Sequence, residues 1–175
     1  MNVTKANLQD FVEPATSLTN EEFMRRYPGV YLVAMGTLST EEVANDDVES
    51  VTREIQVPFS QPRRHSYQAN PLKGQLFVIE DNSGDTPVTL GRTGLSQVQV
   101  PDQTISATHA QLRIAHDQAV YLKDMRSKNG TSVNNEPIAT NQERPLRDGD
   151  LVTFGRYSFQ FFRPATLHAA LRLIR

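Results

Sequence analysis

Three short stretches carry residue types able to do chemistry: Gly91-Arg92, Ser106-Ala107-Thr108-His109 and Ser127-Lys128-Asn129-Gly130-Thr131. All lie in a block patterned as short strands, which puts each on a loop between strands. An arginine, a serine and an asparagine so placed can converge on one phosphate group. The guanidinium is planar, stays charged and offers several donors. The hydroxyl donates, and the amide both donates and accepts. This is the chemistry of holding an anion, not of breaking a bond.

Signatures of bond-breaking chemistry are missing from the sequence. It has no nucleotide-type glycine-rich phosphate loop, no G-x-S-x-G elbow and no H-E-x-x-H pair. His65, His109, His116 and His168 show no metal spacing. The acidic run Glu41–Glu49 lacks the alternating oxygen ligands and glycine of a calcium loop. We therefore expect no catalytic residue, no metal and no cofactor.

The loops need a scaffold, and 175 residues can bury a core, with one domain plus an appendage as the default. Apolar content of 38% and charged content of 22% fit a globular chain, and no apolar run is long enough to span a bilayer. The first residues lack an apolar signal core. With no cysteine there are no disulfides or thiolate metal sites, and a reducing cytoplasm is the default location. A net charge of −2 argues against general nucleic-acid affinity, so anion recognition must be local.

The composition shifts near residue 70. Before it, Thr19–Tyr27 reads as a short helix with a Thr or Asn cap, early acids and late bases. Val30–Met35 is an apolar run of strand length. Glu41–Glu54 holds six carboxylates and one arginine; a solvated amphipathic helix and a flexible acidic linker both fit it. Pro58 to Pro71 reads as an exposed linker.

After it come short strands: Gln75–Glu80, then the turn Asp81–Asp85, then Val88–Leu90 and the pair Val98 and Val100. Hairpins turn at His116-Asp117-Gln118 and at Gly155-Arg156. Such spacing predicts an all-β antiparallel sandwich. Leu167, Ala170, Leu171 and Ile174 add a short C-terminal helix. The organisation expected is an N-terminal extension and linker over 1–70, a β domain over 71–164 and a helix over 165–175. The extension is either a small α/β addition or partly extended.

Gly91-Arg92, Ser106-x-x-His109, Asn129-Gly130-Thr131, Asn134 and Asp148-Gly149-Asp150, in that order, resemble the forkhead-associated (FHA) domain over about residues 72–164. The resemblance implies an eleven-strand sandwich whose loops at one end bind phosphothreonine peptides. It implies that Arg92 and Ser106 hold the phosphate, that Asn129 bonds the peptide backbone, and that Lys128 lies close to the phosphate. Gly91 and Gly130 become turn residues, and His109 becomes a structural brace.

The sequence departs from the family after Ser106, where Ala107 and Thr108 replace the basic or polar residues many members carry. Ala107 can offer only its N–H, so one side-chain contact is missing. Thr104 lies near where some members read the third residue after the phosphothreonine, and it argues against an acidic preference there. Modest binding or an aliphatic flanking preference follows.

The function implied is an adaptor for a phosphothreonine-bearing partner, with a Ser/Thr kinase upstream and no membrane insertion. A phosphorylation-independent assembly module is the alternative. Self-association through the N-terminal region is a variant of the first, with Thr52 (before Ile55) and Thr19 (before Glu22) as the phosphosites, since tethering compensates for weak affinity.

Overall fold

The computed structural model of the protein describes residues 2–38, 67–68, 72, 74–80 and 86–174. The acidic run Glu41–Glu54 with Thr52, the turn Asp81–Asp85 and most of Pro58–Pro71 lie outside them.

The chain opens with strand β1 (Asn2–Asn7), a 3-10 turn (Leu8–Phe11) and two short helices, α1 (Val12–Ser17) and α2 (Asn20–Arg26). Then come β2 (Val30–Leu38), β3 (Tyr67–Gln68), β4 (Gln75–Glu80), β5 (Val88–Gly91) and β6 (Val98–Gln99). A meander follows through β7 (Ala110–Ile114), β8 (Val120–Asp124), β9 (Thr131–Val133), β10 (Glu136–Pro137) and β11 (Glu143–Leu146). The chain closes with β12 (Leu151–Phe154), β13 (Tyr157–Phe162) and helix α3 (Pro164–Leu171).

These strands make a sandwich. The larger sheet runs β1-β4-β2-β13-β12-β9-β10, with β3 paired to β2. The smaller runs β11-β8-β7-β5-β6, antiparallel except for the β5–β6 pair. Alternation sends Leu32, Phe77, Phe159 and Phe161 into the space between the sheets, against Leu90, Leu112 and Leu122 of the smaller one.

The middle of the larger sheet is buried on its other face as well. Tyr31 and Val33 of β2, Leu76 and Val78 of β4 and Phe162 of β13 point outward, under Phe11, Phe23, Leu167 and Leu171 of the helical layer. Strands covered on both faces read as continuous apolar runs. That is why Val30–Ala34 looks like an unbroken run and why β13 is buried along its whole length.

The N-terminal segment is therefore part of the sandwich. Composition sets residues 1–70 apart as an extension, but β2 sits between β4 and β13 inside the larger sheet. β1 pairs along all of β4, Asn2 opposite Glu80 and Asn7 opposite Gln75. β1 escapes a reading of apolar periodicity because it is an edge strand with mostly exposed side chains.

Helix α2 starts at the expected cap. The Thr19 oxygen accepts from the Glu22 N–H, and the Glu22 carboxylate accepts from the Thr19 N–H and hydroxyl, closing a capping box. Helix follows directly as far as Arg26, so Thr19 is not presented on an extended segment that a peptide-binding loop could grip. Pro164 both ends β13 and opens α3, where a first-turn proline loses no hydrogen bond. The Asp148 carboxylate caps that helix, accepting from the Arg163 N–H at 2.8 Å and the Thr166 hydroxyl at 2.6 Å. Among the described residues no helix is long and apolar enough to cross a membrane.

Candidate functional site

The connections β5–β6, β6–β7, β8–β9 and β12–β13 meet at one end of the sandwich, and hydrogen bonds stitch them together. The Arg92 N–H donates to the Ser106 carbonyl at 3.0 Å, and the His109 N–H to Leu90 at 2.8 Å. The Lys128 N–H donates to the Ser106 Oγ at 2.9 Å, and the Asn129 side chain to the Thr104 carbonyl at 2.7 Å. Gly91 permits the closest of these approaches. A Cβ there would lie 2.1 Å from the Ala107 carbonyl oxygen and 2.5 Å from the Ser96 Oγ.

Arg92, Ser106, Lys128 and Asn129 are thus brought together, with their binding groups unspent. The Ser106 oxygen accepts from the Lys128 N–H, which leaves the hydroxyl proton free to be donated outward. Arg92 and Lys128 are exposed, and neither cationic group has a partner among the described residues. Asn129 spends one amide N–H on Thr104, and its oxygen and second N–H have no partner among the described residues. Ala107 and Thr108 are exposed on the same loop. The Ala107 carbonyl is held by the hydroxyls of Ser96 at 3.2 Å and Thr93 at 3.4 Å.

Thr104 is committed to the loop itself. Its hydroxyl donates to Asp102 Oδ1 at 2.6 Å and its N–H to the same oxygen at 2.8 Å, while its carbonyl takes the Asn129 amide. No hydroxyl proton is left for a ligand.

His109 is fully buried between the loops. Its Nδ1 lies 3.1 Å from the Ser106 N–H and must accept from it, so the ring proton sits on Nε2 and is donated to the Gly130 carbonyl at 3.0 Å. The ring therefore joins the serine loop to the asparagine loop. Gly130, at φ +77°, takes the left-handed conformation this turn needs.

Burial lowers the His109 pKa from its ordinary 6.5, against the opposing pull of the Gly130 carbonyl and of Asp124. The folded state thus keeps the ring neutral at pH values where the unfolded chain takes up a proton. Stability from this source is complete above pH 6.5 and is lost as pH falls from there towards the folded value, by at most about 1.4 kcal/mol per pH unit. Histidine-ring NMR should show His109 titrating below 6.5, and urea unfolding should show a weaker fold at pH 5.5 than at pH 7. A ring midpoint above 6.5 would contradict the bonding scheme.

Two carboxylates that no sequence motif singled out hold the loops. Asp124, 2% exposed, accepts from the Ser127 N–H at 3.1 Å, the Ser127 hydroxyl at 2.5 Å and the Thr131 hydroxyl at 2.7 Å. Asp102 accepts from Thr104, from the Tyr157 hydroxyl at 3.1 Å and from the Arg156 guanidinium. Burial pushes both carboxyls up, but the hydrogen bonds outweigh it and hold both below the usual carboxylate value. Their only advance signal was position, with Asp124 closing β8 just before the asparagine loop and Asp102 following a proline. Local sequence does not reveal that kind of role.

Residues 88–155 match the model of the FHA domain. The chain is 36% identical over 88 residues to the FHA domain-containing protein FhaA of Mycobacterium tuberculosis, covering 50% of this chain and 15% of that protein. It is 39% identical over 90 residues to Nibrin of Danio rerio, covering 51% of this chain and 9% of that protein. The chain therefore spans only a small part of the length of these relatives. The fold is similar to the FHA domain of an Arabidopsis thaliana hypothetical protein, with TM-score 0.52 and 18% identity over 78% of this chain and 86% of that one. A sandwich of this topology, loops tied through a buried histidine and the family match together establish that this chain carries an FHA domain.

Proposed function

We propose that the chain is a phosphothreonine-peptide reader that docks phosphorylated partner proteins through Arg92, Ser106, Lys128 and Asn129. One observation carries the reading. The Ser106 hydroxyl is fixed by the Lys128 N–H with its own proton free, on a loop whose carbonyl binds the N–H of an arginine whose guanidinium has no partner among the described residues. A hydroxyl donor and free cations on loops that cannot drift apart suit a phosphate dianion, with the free Asn129 amide groups left for the main chain beside it. Ala107 and Thr108 add no charge, so affinity is modest.

Such a ligand requires a Ser/Thr kinase upstream, and kinase and reader belong together in the cytoplasm. The test is a phosphothreonine-peptide library bound to the purified protein beside unphosphorylated controls. Phosphate-dependent binding is expected; equal signals from the two sets would leave the assembly-module reading instead.

Self-association is a narrower form of the same proposal. β2 ends at Leu38, one residue beyond Thr37, which pairs with Tyr157 at the loop-bearing end of the sandwich. That exit supports Thr52 over the capped Thr19 as a tethered ligand. Kinase treatment should then raise the mass in solution, and Arg92→Ala should prevent it. Unchanged mass after phosphorylation at Thr52 would end this variant.

A further inference from the structure

Arg126 stands in the left-handed region, at φ +59°. Four other non-glycine residues do so among the described residues, and three of them are Asn134, Asn135 and Asn141. Asparagine tolerates that conformation because its short amide bonds locally, whereas a long side chain gains nothing there to offset the crowding of its Cβ. A strained arginine on a ligand loop is an observation that asks for a use.

The surroundings explain how the strain is held. The Met125 N–H donates to the His109 carbonyl at 2.9 Å on one side, and the Asp124 carboxylate takes the Ser127 N–H and hydroxyl on the other. Arg126 is fixed between these anchors and is exposed, with no partner for its guanidinium among the described residues. Two residues on, at most about 7 Å along the chain, Lys128 binds Ser106 through its N–H, and its ammonium also has no partner among the described residues.

Four other arginines among the described residues are engaged. Arg144 pairs with Glu136, Arg113 with Glu143 and Arg156 with Asp102, while Arg163 donates to the Gln118 carbonyl. The carboxylates of the site loops, Asp102 and Asp124, are enclosed by hydrogen bonds. In a chain of net charge −2, Arg92, Arg126 and Lys128 thus stand without a paired carboxylate among the described residues, on the two loops that are hydrogen-bonded to Ser106. One phosphate is served by Arg92, Ser106 and Lys128. Arg126 is the cation in excess.

We propose that Arg126 is a specificity-determining residue that selects phosphothreonine ligands bearing a second anionic group close to the phosphothreonine. The proposal rests on the phosphothreonine reading above. The second anion is a carboxylate or another phosphate. It does not sit at the position Thr104 faces, whose hydroxyl is committed to Asp102. Two anions against three cations also predict a ligand preference that weakens with salt.

Fluorescence anisotropy with four synthetic peptides tests this. One carries a phosphothreonine among alanines, the second adds flanking glutamates, the third adds a second phosphothreonine, and the fourth has no phosphate. The glutamate or doubly phosphorylated peptide should bind about fivefold more tightly than the alanine one. Arg126→Gln should erase that preference while leaving the alanine peptide's affinity unchanged. Arg126→Gly should erase it too and raise the unfolding temperature, because glycine relieves the positive φ.

Which of the two anionic peptides gains tells carboxylate from phosphate. Phosphate-dependent binding with no flank preference would overturn the assignment and leave the reader intact. So would an Arg126→Gln variant that weakens all phosphopeptides equally, or Arg126→Gly melting at a lower temperature. Equal binding of the unphosphorylated peptide would remove the reader itself, a separate outcome.

Discussion

Arg92→Ala is expected to weaken phosphothreonine-peptide binding by roughly tenfold to a hundredfold, the loss of a charge-assisted contact of about 1.5–3 kcal/mol. The unfolding temperature should not move. The side chain is exposed and makes no contact that folding relies on among the described residues, while the backbone N–H that bonds Ser106 stays in the variant. Arg92→Lys should recover only part of the affinity, since a lysine keeps the charge and loses the planar fork. Calorimetric titration beside a thermal melt separates the effects. Full affinity in Arg92→Ala would remove Arg92 from the site.

Asp124→Ala is expected to give the largest loss of stability among the loop residues, about 2–4 kcal/mol, and to abolish binding as well. Its carboxylate is buried and takes three donors, and deletion leaves the Ser127 N–H and the hydroxyls of Ser127 and Thr131 without their acceptor. Each buried donor left unmade costs about 1–3 kcal/mol. The turn from Ser127 to Gly130 then loses its fastening, and with it the register of Lys128 on Ser106. Asp124→Asn is the milder variant, because its remaining oxygen still accepts while its amide faces a donor. Urea unfolding should rank the wild type above Asn and Asn above Ala. An alanine variant as stable as the wild type would show that the loop is held some other way.

Legibility in the sequence followed the range of the interaction. That Arg92, Ser106 and Asn129 lie on converging loops was readable because their types are chemically loaded and they fall between alternating strands, while Lys128 entered through the family resemblance. The His109 brace was readable only through the family's order of motifs. Asp102 and Asp124 were not readable, since what makes them matter is which donors the folded loops turn toward them: Thr104, Arg156 and Tyr157 for Asp102, Ser127 and Thr131 for Asp124. The strained Arg126 was equally silent, because an arginine's φ is set by anchors on either side and leaves no mark in composition.

The N-terminal division failed for a related reason. Turn-poor sequence before residue 70 resembles an appendage, yet β2 gains its partners from β4 and β13, one of them more than 100 residues downstream. α2, by contrast, was announced by its own cap and charges, all of them local.

The family match ends at residue 155, just before β13 begins. That strand carries one row of aromatics into the sandwich and Phe162 into the helical layer, so neither layer keeps its floor without it. A fragment trimmed to the matched residues would lose β2, β4 and β13 together, the inner strands of one sheet. The portable unit, whether moved by gene fusion or at the bench, is therefore larger than its recognisable signature. Its two layers should melt in one transition, so damage beneath the helices would be felt at loops on the far edge of the molecule.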